Sequence, residues 1–169
     1  MSVNRYKKHL VVFVEDKPYS DMLNGVQLVH DINIDVKNPC GGWSKVFDTF
    51  NKNKNILDKF PHAFIVLIMD FDDKQNIDSE SSFETRKNKF NGLVEDRYKH
   101  RVFLLGTNHK ESEDLKKVFA LSNFEEIGKK LVDECPNGNL ANWNNKHLRC
   151  NLSEIDRMRE SGVFDWLFS

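Results

Sequence analysis

Four apolar runs rich in β-branched and aromatic side chains punctuate the chain: Leu10 to Val14, Ile32 to Val36, Ala63 to Met69 and Val102 to Leu105. Two of them, LVVFV and AFIVLIM, are continuous rather than alternating, the pattern of strands buried on both faces of a parallel sheet. Between the runs the period changes. Tyr19, Met22, Leu23 and Val26 recur at i, i+3, i+4 and i+7, and Trp43, Val46, Phe47 and Phe50 repeat the spacing, so each segment predicts a helix with one apolar stripe to lay on the sheet. A third helix is predicted from Ser82 to about Tyr98, opened by Ser81 with Glu84 three residues on, a capping-box spacing. Strand and helix alternating in this way predict an α/β fold: a doubly wound, mainly parallel four-stranded sheet flanked by helices, with right-handed crossovers.

After Leu105 the pattern turns helical. Leu115 to Leu121 and Phe124 to Cys135 are predicted helices, the second opened by Ser122 and Glu125. A terminal helix carries Ile155, Met158, Val163, Trp166 and Leu167 on one face, and the asparagine-rich stretch Pro136 to Asn151 reads as an irregular link. Residues 1–121 therefore form an α/β domain, with 122–169 a helical C-terminal extension of the same compact unit. Val163, Phe164, Trp166, Leu167 and Phe168 crowd more apolar surface into the chain's end than one stripe needs. Set against simple docking on the chain's own core, this marks a candidate interface for a homodimer or a larger protein complex.

Composition narrows the class. At 169 residues, 39% hydrophobic and 30% charged, with eight glycines and four prolines, the chain is long enough for one well-buried core and is neither disordered nor fibrous. Twenty-five basic against 26 acidic residues leave a net charge of −1. That excludes a broadly cationic surface, so a nucleic-acid partner must be held by local patches or by metal. The run Leu10 to Val14, followed at once by Glu15 and Asp16, is too short for a signal peptide or a membrane span. Cys40, Cys135 and Cys150 are odd in number and far apart, which suits a reducing, cytoplasmic setting better than a disulfide framework or a zinc site. His9, His30, His62, His100 and His147 show no metal-ligand spacing.

In parallel α/β sheets, ligands bind beyond the carboxyl ends of the strands, so acids there are the residues that matter. Glu15 and Asp16 follow the first strand; Asp70, Asp72 and Asp73 follow the third. Asp70 and Asp72 alternate on an extended segment and so point the same way. Carboxylates converging on one edge repel unless a cation sits between them, and hard oxygen ligands suit Mg²⁺ or Mn²⁺. The plainer reading of Asp16, before Lys17 and Pro18, is a helix cap.

The segments VVFVEDKPYSDML, GGWSKVFDTF and FIVLIMDFDD together resemble the TOPRIM domain, the metal-binding module of topoisomerases, primases and related small nuclease-like proteins. The resemblance covers roughly residues 8 to 120. The family's glutamate at the end of its first strand falls on Glu15, its glycine turn into the second helix on Gly41 and Gly42, and its aspartate pair on Asp70 and Asp72. Where many members have glycine after the glutamate, this chain has Asp16. In several nuclease-like members a further acid opens the helix after the fourth strand; Glu113 matches it, with Glu111 and Asp114 as rivals. The resemblance implies a Mg²⁺- or Mn²⁺-dependent nuclease acting on DNA or RNA, with Glu15, Asp70, Asp72 and Glu113 catalytic and Glu15, Asp70 and Asp72 holding the metal. Such sites bring two ions about 3.5 to 4 Å apart to activate water and stabilise the leaving oxygen, so no side-chain nucleophile is needed. Tyr6, Tyr19 and Tyr98 have no context that marks one as the tyrosine topoisomerases use.

Three rival readings share these letters. A response-regulator receiver would take Glu15 with Asp16, Asp70 as phosphoacceptor and Thr107, but needs a fifth strand where the pattern is helical. A haloacid-dehalogenase-like phosphatase would use Asp70 and Asp72, but on its first strand. A non-catalytic TOPRIM-like interaction protein fits the near-neutral charge. Lys17, Lys45, Lys74 and Lys110 follow predicted strands and supply a local cationic patch or ordinary solvated surface; His109, near Glu113, is a proton-transfer candidate or simply a loop histidine.

Overall fold

The computed structural model describes residues 3–71, 83–108 and 112–169. In it β1 (His9–Val14) leads into α1 (Lys17–Val29), β2 (Ile34–Val36) into α2 (Trp43–Asn53) and the short α3 (Ile56–Lys59), and β3 (Ala63–Phe71) is followed by α4 (Phe83–Leu93). β4 (Val102–Asn108) is followed by α5 (Leu115–Phe119), α6 (Phe124–Val132), α7 (Leu152–Glu160) and α8 (Val163–Leu167). The four strands pair in parallel in the order β2-β1-β3-β4, as the continuous apolar runs require of a sheet covered on both faces.

Strand alternation sorts the core into two layers. Leu10, Val12, Val14, Val66 and Phe103 face one side, where α1, α6, α7 and α8 pack; Val11, Phe13, Ile65, Leu67, Met69 and Leu104 face the other, under α2, α3 and α4. Each such side chain, fully buried, contributes about 1.5–3 kcal/mol, which is why these runs dictate the sheet.

The chain from residue 122 on is built into the first layer. α6 lies so close on α1 that a Cβ at Gly25 would sit 2.0 Å from the Glu125 carbonyl oxygen, and one at Gly128 2.0 Å from that of Met22. The C-terminal segment also closes the free edge of β4. Asn151 accepts from the Gly106 N–H at 2.9 Å and donates to the Gly106 carbonyl at 2.7 Å; Glu154 accepts from the Leu104 N–H at 2.7 Å; the His147 carbonyl accepts from the Asn108 N–H at 2.8 Å. Two side chains and one main-chain carbonyl thus occupy outward hydrogen-bonding groups of an edge strand.

Two predicted helices differ from the pattern. The third ends at Leu93, just past Gly92, and the chain reaches β4 through a 3₁₀ turn over Asp96–Arg101 that buries Tyr98; its predicted opening at Ser81 and Ser82 lies outside the described residues. The terminal helix is two helices, α7 and α8, because Gly162 at φ +85° takes the left-handed conformation that ends α7. Of the two readings of the apolar tail, docking on the chain's own core holds for most of it: Val163, Phe164 and Leu167 are buried in the first layer, with Trp166 and Phe168 packed against it. Among the described residues no helix is long and apolar enough to cross a membrane, and the three cysteines are free thiols, with burial pushing those of Cys135 and Cys150 up to about 12.

Candidate metal centre

The carboxyl ends of β1 and β3 lie side by side, with Val14 opposite Ile68, so the residues that follow each strand meet on one edge. The Glu15 N–H donates to the Ile68 carbonyl at 2.9 Å, and Gly41 donates to the Glu15 carbonyl at 2.8 Å. Glu15 is thereby locked between β3 and the glycine turn that enters α2. Its carboxylate oxygen Oε2 accepts the backbone N–H of Asp70 at 2.6 Å. Burial pushes the Glu15 pKa above its ordinary value, and the Asp16 charge adds to this; the Asp70 amide, the Trp43 amide and the Arg86 guanidinium pull the other way without cancelling it.

Asp70 sits on the α1 side of β3, in register with Thr107 on β4. Its Oδ1 accepts the hydroxyl of Tyr19, a buried residue in the first turn of α1, and the backbone N–H of Ser112 at 3.2 Å. The Tyr19 and Thr107 hydroxyls are hydrogen-bonded at 2.8 Å. Burial first, and then the Glu15 and Asp16 charges, lift Asp70 to about 7 against the lowering effect of the Tyr19 bond. Burial and the Asp70 charge hold the Tyr19 phenol well above its ordinary value, so it stays protonated and donates. Asp16 occupies the cap position of α1, yet its side chain makes no capping bond there; its charge instead bears on both Glu15 and Asp70.

The structure therefore brings Glu15 and Asp70 together. Asp72, the second aspartate of the predicted pair, lies outside the described residues, as do Asp73, Lys74, His109, Lys110 and Glu111. Glu113 is placed in a 3₁₀ turn over Ser112–Asp114, its side chain 62% exposed and ion-paired with Lys116 at 3.8 Å. Among the described residues no group of three acids, histidines or cysteines is arranged to hold a metal ion, so Glu113 does not complete the pair. Lys17 is exposed and committed to Asp21 at 2.8 Å.

Arg86 is the residue the sequence pattern passed over. It is 2% exposed, its guanidinium lies 4.3 Å over the Trp43 ring, and its charge reaches Glu15. Its signal was there to find: Phe83, Arg86 and Phe90 share one helical stripe, and an arginine at a core position of that stripe must answer a buried negative charge or an aromatic face. Tyr19 was legible as a stripe residue, but nothing in its own segment announces Asp70, 51 positions away.

Chemically the pair offers hard carboxylate oxygens, both pushed toward protonation by burial, with the Asp16 charge adding to each and the Glu15 charge adding to Asp70. Hard carboxylate oxygens are the donors that a divalent cation of the Mg²⁺ class takes, and a bound positive charge would favour their ionised forms. No protein-family model, curated protein or solved structure matches the chain.

Proposed function

We propose that the chain is a Mg²⁺- or Mn²⁺-dependent, TOPRIM-like nuclease that hydrolyses phosphodiester bonds in nucleic acid, with Glu15, Asp70 and Asp72 as its metal ligands. The observation that carries the reading is the convergence of Glu15 and Asp70 from adjacent parallel strands at the carboxyl edge of the sheet. Burying two carboxylates together costs stability unless something else uses them, and perturbed acids at a strand end are a mark of function.

A bound divalent ion would supply the activated water and the stabilisation of the leaving oxygen. The chain's own residues prepare the ligands. Tyr19 and the Ser112 amide hold Asp70, while the Asp70 amide holds Glu15 and the Arg86 charge favours its ionised form. With a net charge of −1, the protein would meet the phosphate backbone through the metal and neighbouring lysines rather than through a broad basic face. The receiver alternative gains the Asp70–Thr107 register pair, but Thr107 is fully buried and bonded to Tyr19, and no fifth strand is found among the described residues.

Calorimetry with Mn²⁺ on the wild type and on Asp70→Asn, paired with cleavage of single- and double-stranded oligonucleotides, tests the reading. Binding and cleavage by the wild type that Asp70→Asn abolishes are the expected results. Equal Mn²⁺ binding by the two proteins, or none by either, removes it.

A further inference from the structure

Asp70 occupies an inward position on β3, on the same face as Val66 in the apolar layer, and the Tyr19 ring is buried in that layer too. A buried phenol needs a hydrogen-bond partner, and Thr107 alone, at 2.8 Å, provides one. A carboxylate in the same place is a costly second partner, because its charge must be desolvated beside Glu15 and Asp16. The three groups therefore make more sense as a support for Asp70 than as a satisfied tyrosine.

The geometry of that support is one-sided. Among the described residues, both donors to the Asp70 side chain fall on the same oxygen: the Tyr19 hydroxyl and the Ser112 N–H each bond Oδ1. Tyr19 comes from the first turn of α1, Ser112 from the 3₁₀ turn after β4 and Thr107 from β4 itself, so three separate segments fix one carboxyl group. Oδ2 has no donor among them.

We propose that Tyr19, oriented by Thr107, is the positioning residue for Asp70: by occupying Oδ1 together with the Ser112 amide, it leaves Oδ2 as the oxygen offered to the divalent ion. This rests on the metal-dependent reading above and adds a selectivity to it. A carboxylate confined to one oxygen suits small ions with strict octahedral demands, Mg²⁺ and Mn²⁺, whereas Ca²⁺ accepts and favours bidentate carboxylates. Partners that hold a ligating side chain by hydrogen bonds typically govern affinity by tenfold or more.

The test is calorimetry with Mn²⁺ and with Ca²⁺, each alone, on the wild type, Tyr19→Phe, Thr107→Val and Asp70→Asn, with circular dichroism confirming the fold. Tyr19→Phe keeps the ring and removes only the hydroxyl. Its Mn²⁺ dissociation constant is expected to rise about tenfold or more while that for Ca²⁺ rises less, so the preference for Mn²⁺ narrows. Thr107→Val, which leaves Tyr19 untouched, shifts the preference the same way by a smaller factor and serves if Tyr19→Phe fails to fold. General loosening of the fold would weaken both ions in equal proportion, and that result, or unchanged Mn²⁺ affinity in both variants, overturns the inference while the metal site stands. A wild type showing no Mn²⁺ binding that Asp70→Asn abolishes would remove the metal site and the inference together.

Discussion

Glu15 and Asp70 are joined through the main chain: Glu15 Oε2 accepts the Asp70 N–H at 2.6 Å, so the carboxylate that ends β1 grips the backbone of the residue carrying the other carboxylate. The strand pairing of β1 with β3 is thereby continued by a side chain one step past the last main-chain rungs. It also fixes how closely the two acids approach, because Glu15 cannot swing away without leaving a part-buried amide unpaired.

The Asp70 carboxyl makes stability depend on pH in a definite direction. Its folded pKa of about 7 lies above the ordinary 3.8, so the folded protein binds the proton more tightly than the unfolded chain. The stability this contributes is complete below about pH 4 and is lost as pH rises to about 7. Asp70→Asn removes the dependence while keeping an oxygen that accepts from Tyr19 and Ser112. The melting temperature of Asp70→Asn minus that of the wild type should therefore grow from pH 4 to 7 and then level off. At about 2–4 °C per kcal/mol for a chain of this size, the plateau should reach several degrees. A flat difference across that range would show that the carboxyl is not held in the environment described.

Cation should reverse this penalty. Near-saturating Mn²⁺ at about 100 times the dissociation constant stabilises the folded state by roughly 2.7 kcal/mol, so the wild type at pH 8 should melt several degrees higher with the ion than without it. Glu15→Gln and Asp70→Asn should show no such rise and no cleavage, yet without metal fold at least as stably as the wild type, since each relieves repulsion between buried acids. Differential scanning calorimetry with and without Mn²⁺ decides it. A sharp fall in the metal-free melting temperature of either variant would make the acids structural instead.

Much of this was legible in the chain. LVVFV and AFIVLIM gave β1 and β3 to within two residues at each end, and parallel pairing then forced Glu15 and Asp70 onto one edge. What escaped was set by contacts distant in sequence. Arg86 answers Glu15, 71 positions away in the chain, and Tyr19 answers Asp70 and Thr107; local periodicity records only that each lies on a buried stripe. The tail left two readings open for a related reason. Its excess of apolar side chains is real, but Gly162 breaks the helix, and the two resulting pieces bury more of them than one stripe would.

The contact between α1 and α6 should be intolerant of a single methyl group. Alanine in place of an exposed helical glycine normally stabilises by up to about 1 kcal/mol. At Gly25 and Gly128 the new Cβ would stand 2.0 Å from a backbone carbonyl oxygen of the facing helix, and backbone cannot rotate aside. Gly25→Ala and Gly128→Ala should each destabilise by about 1–3 kcal/mol or more, read by urea denaturation. Gly92→Ala, with open space around its position, should be neutral or stabilising. The opposite signs within one protein separate close packing from propensity.

The sheet's outer edge offers the sharpest structural test, because one side chain there does the work of a missing strand. Asn151 serves both the N–H and the carbonyl of Gly106, and Glu154 serves the Leu104 N–H while taking Arg157 at 2.8 Å and Lys87 at 3.3 Å. Burial alone would raise the Glu154 pKa, but the Arg157 bond, the Leu104 amide and the Lys87 charge outweigh it and hold the carboxyl below its ordinary 4.5. A depressed carboxyl contributes stability that is present above pH 4.5 and lost as pH falls through the folded value, so Glu154→Gln should cost stability at pH 7 and progressively less toward pH 3. Asn151→Ala leaves a buried donor and a buried acceptor of Gly106 unpaired, at about 1–3 kcal/mol for each group, with no such pH dependence. Amide hydrogen exchange locates the effect. In Asn151→Ala the Gly106 amide should lose protection by orders of magnitude relative to the Val66 amide in the neighbouring strand. Equal loss at both would mean global unfolding rather than an opened edge, and Asn151 would then be a packing residue and not a substitute for a fifth strand.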